Sequence, residues 1–435
     1  MLETLIYLGV GVITLLIPTL YFLRERRKSR TAEAKLHQAI EAGLDQPVSI
    51  HPRIDPNICI GSGACVQACP EKDVLGLVNN RGLLINPSAC IGHGMCQAAC
   101  PVDAITLVFG TEKRGVDIPH VKGNFETNVP GIYIAGELGG MGLIANAVRQ
   151  GVEAAHYIAQ GLSERGKDDV LDLAIVGAGP AGIAASLQAQ KEGLSFVTLD
   201  QDDLGGTILT YPRRKVVMTA PLDLPGYGKM KQREIEKEAL LELFQDVYRK
   251  TGLAVLAKNK VEDIARDNGH FRLRARQGQY LARRVLLAIG RRGSPRKLGV
   301  PGEVSPKVAY RVIEPEKYAG LNILVVGGGD SAVEAAVALS EQPRTTVHLS
   351  YRQDKIFRIK PGNRQKLELA VSTRRVVPIL PSEVIRIEPD TAILTHQGEE
   401  LALPVDYIFI FAGGELPTEF LQKIGIEFTR KFGEA

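Results

Sequence analysis

The sequence predicts an α/β protein with two parallel-sheet folds in series, fronted by a small α+β module and an N-terminal helix. Three observations predict it. Two short apolar strands, 171–176 and 321–326, each run directly into a glycine-rich turn and then a helical stretch. All six cysteines fall within residues 59–100. Residues 4–23 carry no charge at all. At 435 residues and 45% hydrophobic content, the chain can form two to four packed domains.

The uncharged stretch from Thr4 to Leu23 spans about 30 Å as a helix, the thickness of a bilayer's hydrocarbon core. Pro18 would kink such a helix without forbidding it. A cleaved signal peptide is the competing reading, but it would begin with positive charge, and here Glu3 precedes the apolar run and Arg24 follows it. Arg24, Arg26, Arg27, Lys28 and Arg30 against Glu25 account for the whole net charge of +4. The rest of the chain is balanced, which argues against a nucleic-acid surface. A positive flank stays in the cytoplasm, so the expectation is a single-pass membrane protein with its catalytic domains cytoplasmic. Residues 24–50 read as a polar stalk, helical from Ala32 to Ala42, which completes an anchor region over 1–50.

The cysteines form two copies of one pattern, Cys59-x5-Cys65-x3-Cys69-Pro70 and Cys90-x5-Cys96-x3-Cys100-Pro101, each cysteine 31 residues from its mate. Clustered thiolates are soft ligands for iron or zinc. The arrangement resembles the two-cluster bacterial ferredoxin, whose C-x2-C-x2-C-x3-C-P runs each lend their fourth cysteine to the other cluster. Ser62 and His93 stand where that family has its second cysteines. The resemblance then implies one site from Cys59, Cys65 and Cys100 beside Ser62, and another from Cys90, Cys96 and Cys69 with His93 as fourth ligand. Three thiolates can hold a [3Fe-4S] cluster, or a [4Fe-4S] cluster with one iron bound otherwise. A Cys3His zinc site and a ferredoxin-like domain without metal remain alternatives. Disulfides are not expected in a cytosolic setting. This module occupies 51–112.

In the first fold, Leu171–Val176 leads into Gly177-Ala-Gly179-Pro180-Ala181-Gly182, a helical stretch, and a second strand that ends at Asp200. That is the full context of the dinucleotide fingerprint. Gly177 allows the tight turn, Gly179 lets backbone approach a pyrophosphate, Gly182 lets helix and strand pack, and Asp200 is placed for a ribose hydroxyl. The second copy, Gly327-Gly-Gly329-Asp330-Ser331-Ala332, has alanine in the third position. Its following strand ends in Tyr351-Arg352 with no acid. Arg352, Arg358 and Lys360 are therefore read as holding a 2′-phosphate, with a solvated loop as the alternative, and NADP is favoured over NAD.

Two such folds, the first closing at Leu286–Gly290 and the second at Phe409–Gly414, resemble the flavoproteins with two dinucleotide-binding domains. The resemblance is to their thioredoxin-reductase-like branch, which includes ferredoxin–NADP reductases and bacillithiol disulfide reductases. It implies Rossmann-like domains of three-layer ββα form, FAD in the first (166–294) and NAD(P)H in the second (295–412), with hydride passing from nicotinamide to flavin. It also implies FAD contacts at Gly205 and Gly206. The basic loop Tyr211-Pro-Arg213-Arg214-Lys215 is either an FAD contact or gate, or a solvated turn.

That family closes its FAD domain after the NAD(P) domain with a segment T-x-x-P-G-h-Y-A-A-G-D and a helix. Here the equivalent lies ahead of the first fingerprint: Thr127-Asn-Val-Pro130-Gly131-Ile-Tyr133-Ile-Ala-Gly136-Glu137, then Ile144 to Gln160. A circular permutation is the simplest reading, with 113–165 as the FAD-closing segment and 413–435 as a return to the FAD domain. An unrelated α/β connector is the alternative. Gly136 and Glu137 become FAD-site residues by this reading.

Disulfide reductases of the branch need a redox cysteine, in a C-x-x-C of the NADPH domain or in the first fingerprint. Residues 101–435 contain none, and Ala181 occupies the fingerprint. No catalytic side chain is assigned, since the cofactors carry the chemistry. The favoured function is a membrane-anchored NAD(P)H-dependent oxidoreductase moving electrons through FAD and iron–sulfur clusters to a one-electron carrier or a membrane redox partner, possible as a homodimer. Quinone reduction at the bilayer, and a redox sensor or assembly factor without turnover, are the competing functions.

Overall fold

The protein is described by a computed structural model covering residues 2–434 apart from 42–44, 48–49, 72, 113–114, 141, 164, 167–169, 212, 214, 219–220, 233, 292–293, 357–358, 360 and 416. Arg214, Arg358 and Lys360 thus lie outside the described residues. Two compact units form, 1–116 with 431–435, and 117–430.

In the first unit, α1 (Leu2–Glu41) is one 40-residue helix that runs through Pro18. The expected stalk, helical only from Ala32, is therefore helical from its start at residue 24 to Glu41. Residues 24–41 are rich in Arg, Lys, Glu, Ala and Leu, which lose little on entering a helix. Tertiary packing does the rest: Ala32 and Leu36 pack on Val78 and Ile85. A methyl on Gly76 would stand 3.0 Å from the Ala32 Cβ, so glycine there permits the close approach. Lys35 pairs with Asp73 at 2.7 Å, and the Ser29 hydroxyl accepts the Asn79 N–H at 3.0 Å.

The module itself pairs His51–Ile54 with Ile105–Val108, and Leu75–Val78 with Arg81–Leu84, both antiparallel. Two short helices, α2 (Ala64–Ala68) and α3 (Met95–Ala98), repeat at the 31-residue spacing of the cysteines. Each starts from a left-handed glycine, Gly63 at φ 72° and Gly94 at φ 77°, so the repeat is one of backbone as well as of sequence.

The second unit is built around a six-stranded and a five-stranded sheet. In the first, the order is Val261–Asp267, His270–Ala275, Gly278–Leu287, Leu171–Val176, Phe196–Leu199. Ile132–Ile134 pairs in parallel with the end of Gly278–Leu287, matching Val285 with Ile132 and Leu287 with Ile134. The segment ahead of the first fingerprint thus supplies a strand to the fingerprint's own sheet. Its helix α4 (Ile144–Gln160) crosses α5 (Pro180–Lys191) so closely that a methyl on Gly151 would lie 2.1 Å from the Ala181 carbonyl oxygen. Next comes α6 (Lys237–Thr251).

The second sheet is parallel throughout, in the order Val308–Ala309, Tyr407–Ile410, Asn322–Val326, Thr346–Ser350, Val376–Ile379. Its central strands are buried on both faces, as near-continuous apolar runs require. Helices α7 (Asp330–Ser340) and α8 (Pro361–Ser372) accompany it. Val384, Leu394 and Leu403 of an antiparallel three-stranded sheet pack against Leu324, Val326, Ile408 and Ile410. Two sheet layers and a helix layer result. Finally α9 (Thr418–Lys423) and the residues after it bring Leu421, Ile424 and Ile426 into the core of the first sheet, beside Ile132 and Ile134.

Candidate active site: two nucleotide turns and a thiol module

At the first turn, three segments converge. Gly177 has φ 109°, and a Cβ there would meet the Ala288 carbonyl oxygen at 2.5 Å. A Cβ on Gly182 would stand 1.8 Å from the Gly177 carbonyl oxygen, while nothing lies within 4 Å of one on Gly179. The outer glycines close the turn and the middle one faces open space, which is the cradle a pyrophosphate needs at a helix N-terminus. Gly205 donates its N–H to the Ala178 carbonyl at 3.0 Å, and a Cβ on Gly206 would lie 3.0 Å from the Gly179 Cα. From the third segment, Gly136 donates to Gln150 Oε1 of α4 at 2.8 Å, and its own Cβ would meet that of Ala181 at 3.0 Å. Glu137 follows directly, in a short 3-10 turn, and Pro180 opens α5.

Asp200 is buried at the end of the second strand. Its carboxylate accepts the N–H groups of Ala178 and Asp202, so it clamps the turn. Burial raises its pKa, and these two hydrogen bonds only partly offset that. Sequence reasoning missed Arg291. This guanidinium lies beyond the strand Gly278–Leu287. Burial pushes its pKa below the ordinary value, with the negative charges of Glu137 and Asp117 opposing that shift. Its only sequence signal was position, just past the Leu286–Gly290 close of the first fold.

The second turn repeats the cradle with one difference. Gly327 has φ 144° and a Cβ there would meet the Phe411 carbonyl oxygen at 2.6 Å, whereas Gly329 faces open space. Ala332, fully buried, takes the third position. Asp330 and Ser331 begin α7, and Asn363 donates to Asp330 at 2.7 Å. The Tyr351 ring lies over Gly328, where any side chain would come within 2.5 Å of it. Arg352 is exposed at the strand tip. Two described residues of the basic loop, half-buried Lys215 and exposed Arg213, form ion pairs. Lys215 pairs with Glu334 at 2.9 Å and Arg213 with Glu314 at 2.8 Å.

In the thiol module the six cysteines sort into the two expected triads. Cys59, Cys65 and Cys100 line one small cavity together with Ser62. Cys90 is close enough to Cys69, and Cys96 to both Cys90 and Cys69, for their charges to interact. Backbone N–H groups of Gly82 and Ala104 donate to the Cys59 and Cys100 sulfurs, each at 3.3 Å, as bonds that would stabilise thiolates. Burial raises the pKa of Cys65 and Cys69, and pushes Cys90 and Cys96 up to about 11. Such thiols ionise only when a cation takes the proton's place. Among the described residues no three His, Cys, Asp or Glu side chains converge on a single ion. His93 is half-buried, with its Nε2 fully out of solvent.

The family described as pyridine nucleotide-disulphide oxidoreductase matches residues 174–433, and that described as 4Fe-4S dicluster domain matches 51–101. The chain is 29% identical over 265 residues to a ferredoxin–NADP reductase of Ignicoccus hospitalis, covering 60% of this chain and 83% of that one. It is 32% identical over 260 residues to a ferredoxin–NADP reductase of Thermus thermophilus, covering 56% and 73%. Among solved structures, a bacillithiol disulfide reductase from Bacillus cereus matches with TM-score 0.54 and 27% identity, over 59% of this chain and 82% of that one. The chain belongs to the pyridine nucleotide-disulphide oxidoreductase family, as an FAD-dependent NAD(P)H oxidoreductase that carries a 4Fe-4S dicluster domain.

Proposed function

We propose that this protein moves electrons between NADPH, FAD and its own two iron–sulfur clusters, and exchanges them with a one-electron carrier or a membrane partner. One observation carries the reading: every thiol of the chain lies in the two triads, and the flavoprotein part from 101 to 435 contains none. Disulfide reduction there has no nucleophile. FAD, when bound, accepts a two-electron hydride and can release the electrons singly, and each cluster carries one at a time.

The chain's residues then divide the work. Gly177, Gly179, Pro180, Ala181 and Gly182, with Gly205, Gly206, Gly136, Glu137 and Asp200, hold the flavin nucleotide. Gly327, Gly329, Asp330, Ser331 and Ala332 hold the nicotinamide nucleotide, and Arg352 takes its 2′-phosphate. Cys59, Cys65 and Cys100 beside Ser62, and Cys69, Cys90 and Cys96 with His93, hold the clusters. The pairing of Ile132–Ile134 within the fingerprint's sheet supports reading 113–165 as a permuted FAD-closing segment. That arrangement joins the iron–sulfur module by a short covalent link to the strand beside the flavin site. Residues of α1 before Arg24 are long and apolar enough to cross a bilayer, with a hydropathy of 1.6, which supports a membrane anchor with the rest cytoplasmic.

Anaerobic stopped-flow reduction by NADPH tests the reading. Bleaching at both flavin and cluster wavelengths is expected. Cys65→Ala and Cys96→Ala should keep flavin reduction and lose reduction of a one-electron acceptor protein. Acceptor reduction that survives both substitutions removes the clusters from the path, and flavin reoxidation that responds only to a quinone favours reduction at the bilayer.

A further inference from the structure

The loop after Gly206 belongs to the FAD-binding part of the chain, yet its Arg213 and Lys215 pair with the other nucleotide domain. Lys237, buried at the start of α6, holds the loop at both ends: its backbone N–H donates to the Lys215 carbonyl at 2.9 Å and its ammonium to the Tyr211 carbonyl. The Lys215 ammonium also lies 5.2 Å from the centre of the Tyr211 ring. A strap fixed in this way presents its side chains in a set direction. From it Arg213 reaches Glu314 at 2.8 Å and Lys215 reaches Glu334 at 2.9 Å.

Glu334 is no ordinary surface acid. It lies on α7, the helix that starts at the second glycine turn, four residues beyond Asp330. One helical turn is about 5.4 Å, so the Lys215 ammonium is anchored within a turn of the place where a dinucleotide's pyrophosphate meets the helix N-terminus. Glu334 also accepts from Asn363 at 3.1 Å, and the same Asn363 amide donates to Asp330. The pair is partly exposed on both sides, at 30% and 26%, and ion pairs of that kind are weak and readily exchanged. A pyrophosphate offers more charge and more acceptor oxygens than one carboxylate.

We propose that Lys215 is a positioning residue of the NAD(P) site supplied from the FAD domain, with Glu334 holding its ammonium until the pyrophosphate of the incoming dinucleotide displaces it. The proposal rests on the functional reading above, in which the second turn binds NADPH. It makes the strap a link that draws the two nucleotide domains together when the second is filled.

The test is titration of NADP+ into the full-length protein, loaded with FAD and clusters, followed by calorimetry. Lys215→Met should raise Kd by about tenfold, as loss of a charge-assisted contact does, and Lys215→Arg should restore most of it. Glu334→Gln should lower Kd, because the competing partner is gone. The opposite signs matter: a latch that merely steadies the domains is broken by either substitution, so both would shift Kd the same way. Equal signs, or no shift in either variant with flavin content unchanged, overturn the proposal. A wild-type protein that binds no NADP+ overturns it together with the functional reading.

Discussion

The two glycine turns are built alike and finished differently. At the first, the third glycine has no room for a single methyl, since a Cβ on Gly182 would sit 1.8 Å from the Gly177 carbonyl oxygen. At the second, Ala332 fits in that position and is fully buried. The strands that follow diverge as well, one ending in the buried carboxylate of Asp200 and the other in Tyr351 and exposed Arg352. The first turn closes on its own backbone and a buried acid, the second on a buried alanine and an aromatic ring. One fold accommodates both through different finishing residues.

The largest effect expected from this contrast is at the first turn. Gly182→Val should give protein without flavin, read as loss of absorbance near 450 nm relative to protein, because the Gly177 carbonyl blocks the side chain. Ala332→Gly should keep its flavin and reduce it at nearly the wild-type rate. Next, Arg352→Ala should raise KM for NADPH by about tenfold and leave NADH almost unchanged, the loss of one charge-assisted phosphate contact. An equal rise for both nucleotides would remove Arg352 from 2′-phosphate recognition. Smaller still, Asp200→Asn should cost about 1 kcal/mol in melting of the FAD-loaded protein, since an amide nitrogen must face one of the two N–H donors the carboxylate now accepts.

The smallest effect is on pH dependence, where two buried acids differ in sign. Burial raises the Asp200 pKa, so its contribution to stability is present below the unfolded value and is lost as pH rises through the folded one. Glu303, in the second domain, is also buried, but the N–H groups of Leu298 and Gly299 and the Tyr310 hydroxyl outweigh that burial and lower its pKa. Its contribution is present above the unfolded carboxylate value and is lost as pH falls through the folded one. Glu303→Gln should therefore flatten the acid limb of a stability–pH curve, and a limb unchanged in slope would assign that loss to other groups.

Much of this was legible because spacing alone carries it. Glycines at 177, 179 and 182 after an apolar strand leave one backbone solution, and cysteines 31 residues apart announce a repeat. The Ile144–Gln160 helix came out with the boundaries its apolar pattern indicates. What stayed hidden depends on contacts distant in sequence. Lys215 meets Glu334 across 119 positions, and nothing local distinguishes that lysine from a solvated one. Arg291 is burdened by burial and eased by Glu137 and Asp117, which lie more than 150 positions away in sequence. The polar residues after Leu23 read as a loose stalk because the face that docks, Ala32 and Leu36, is narrow and mild in hydrophobicity.

That docked helix has a mechanical consequence. Only eight residues separate Leu23, the last of the apolar run, from Ala32, the first that packs on the iron–sulfur module, and the nine helical steps between them make about 14 Å of rigid rod. For an α1 set in a bilayer there is no tether to pay out. In that setting the module would be held at a fixed height above the lipid, within reach of a membrane partner or of a carrier arriving from solution.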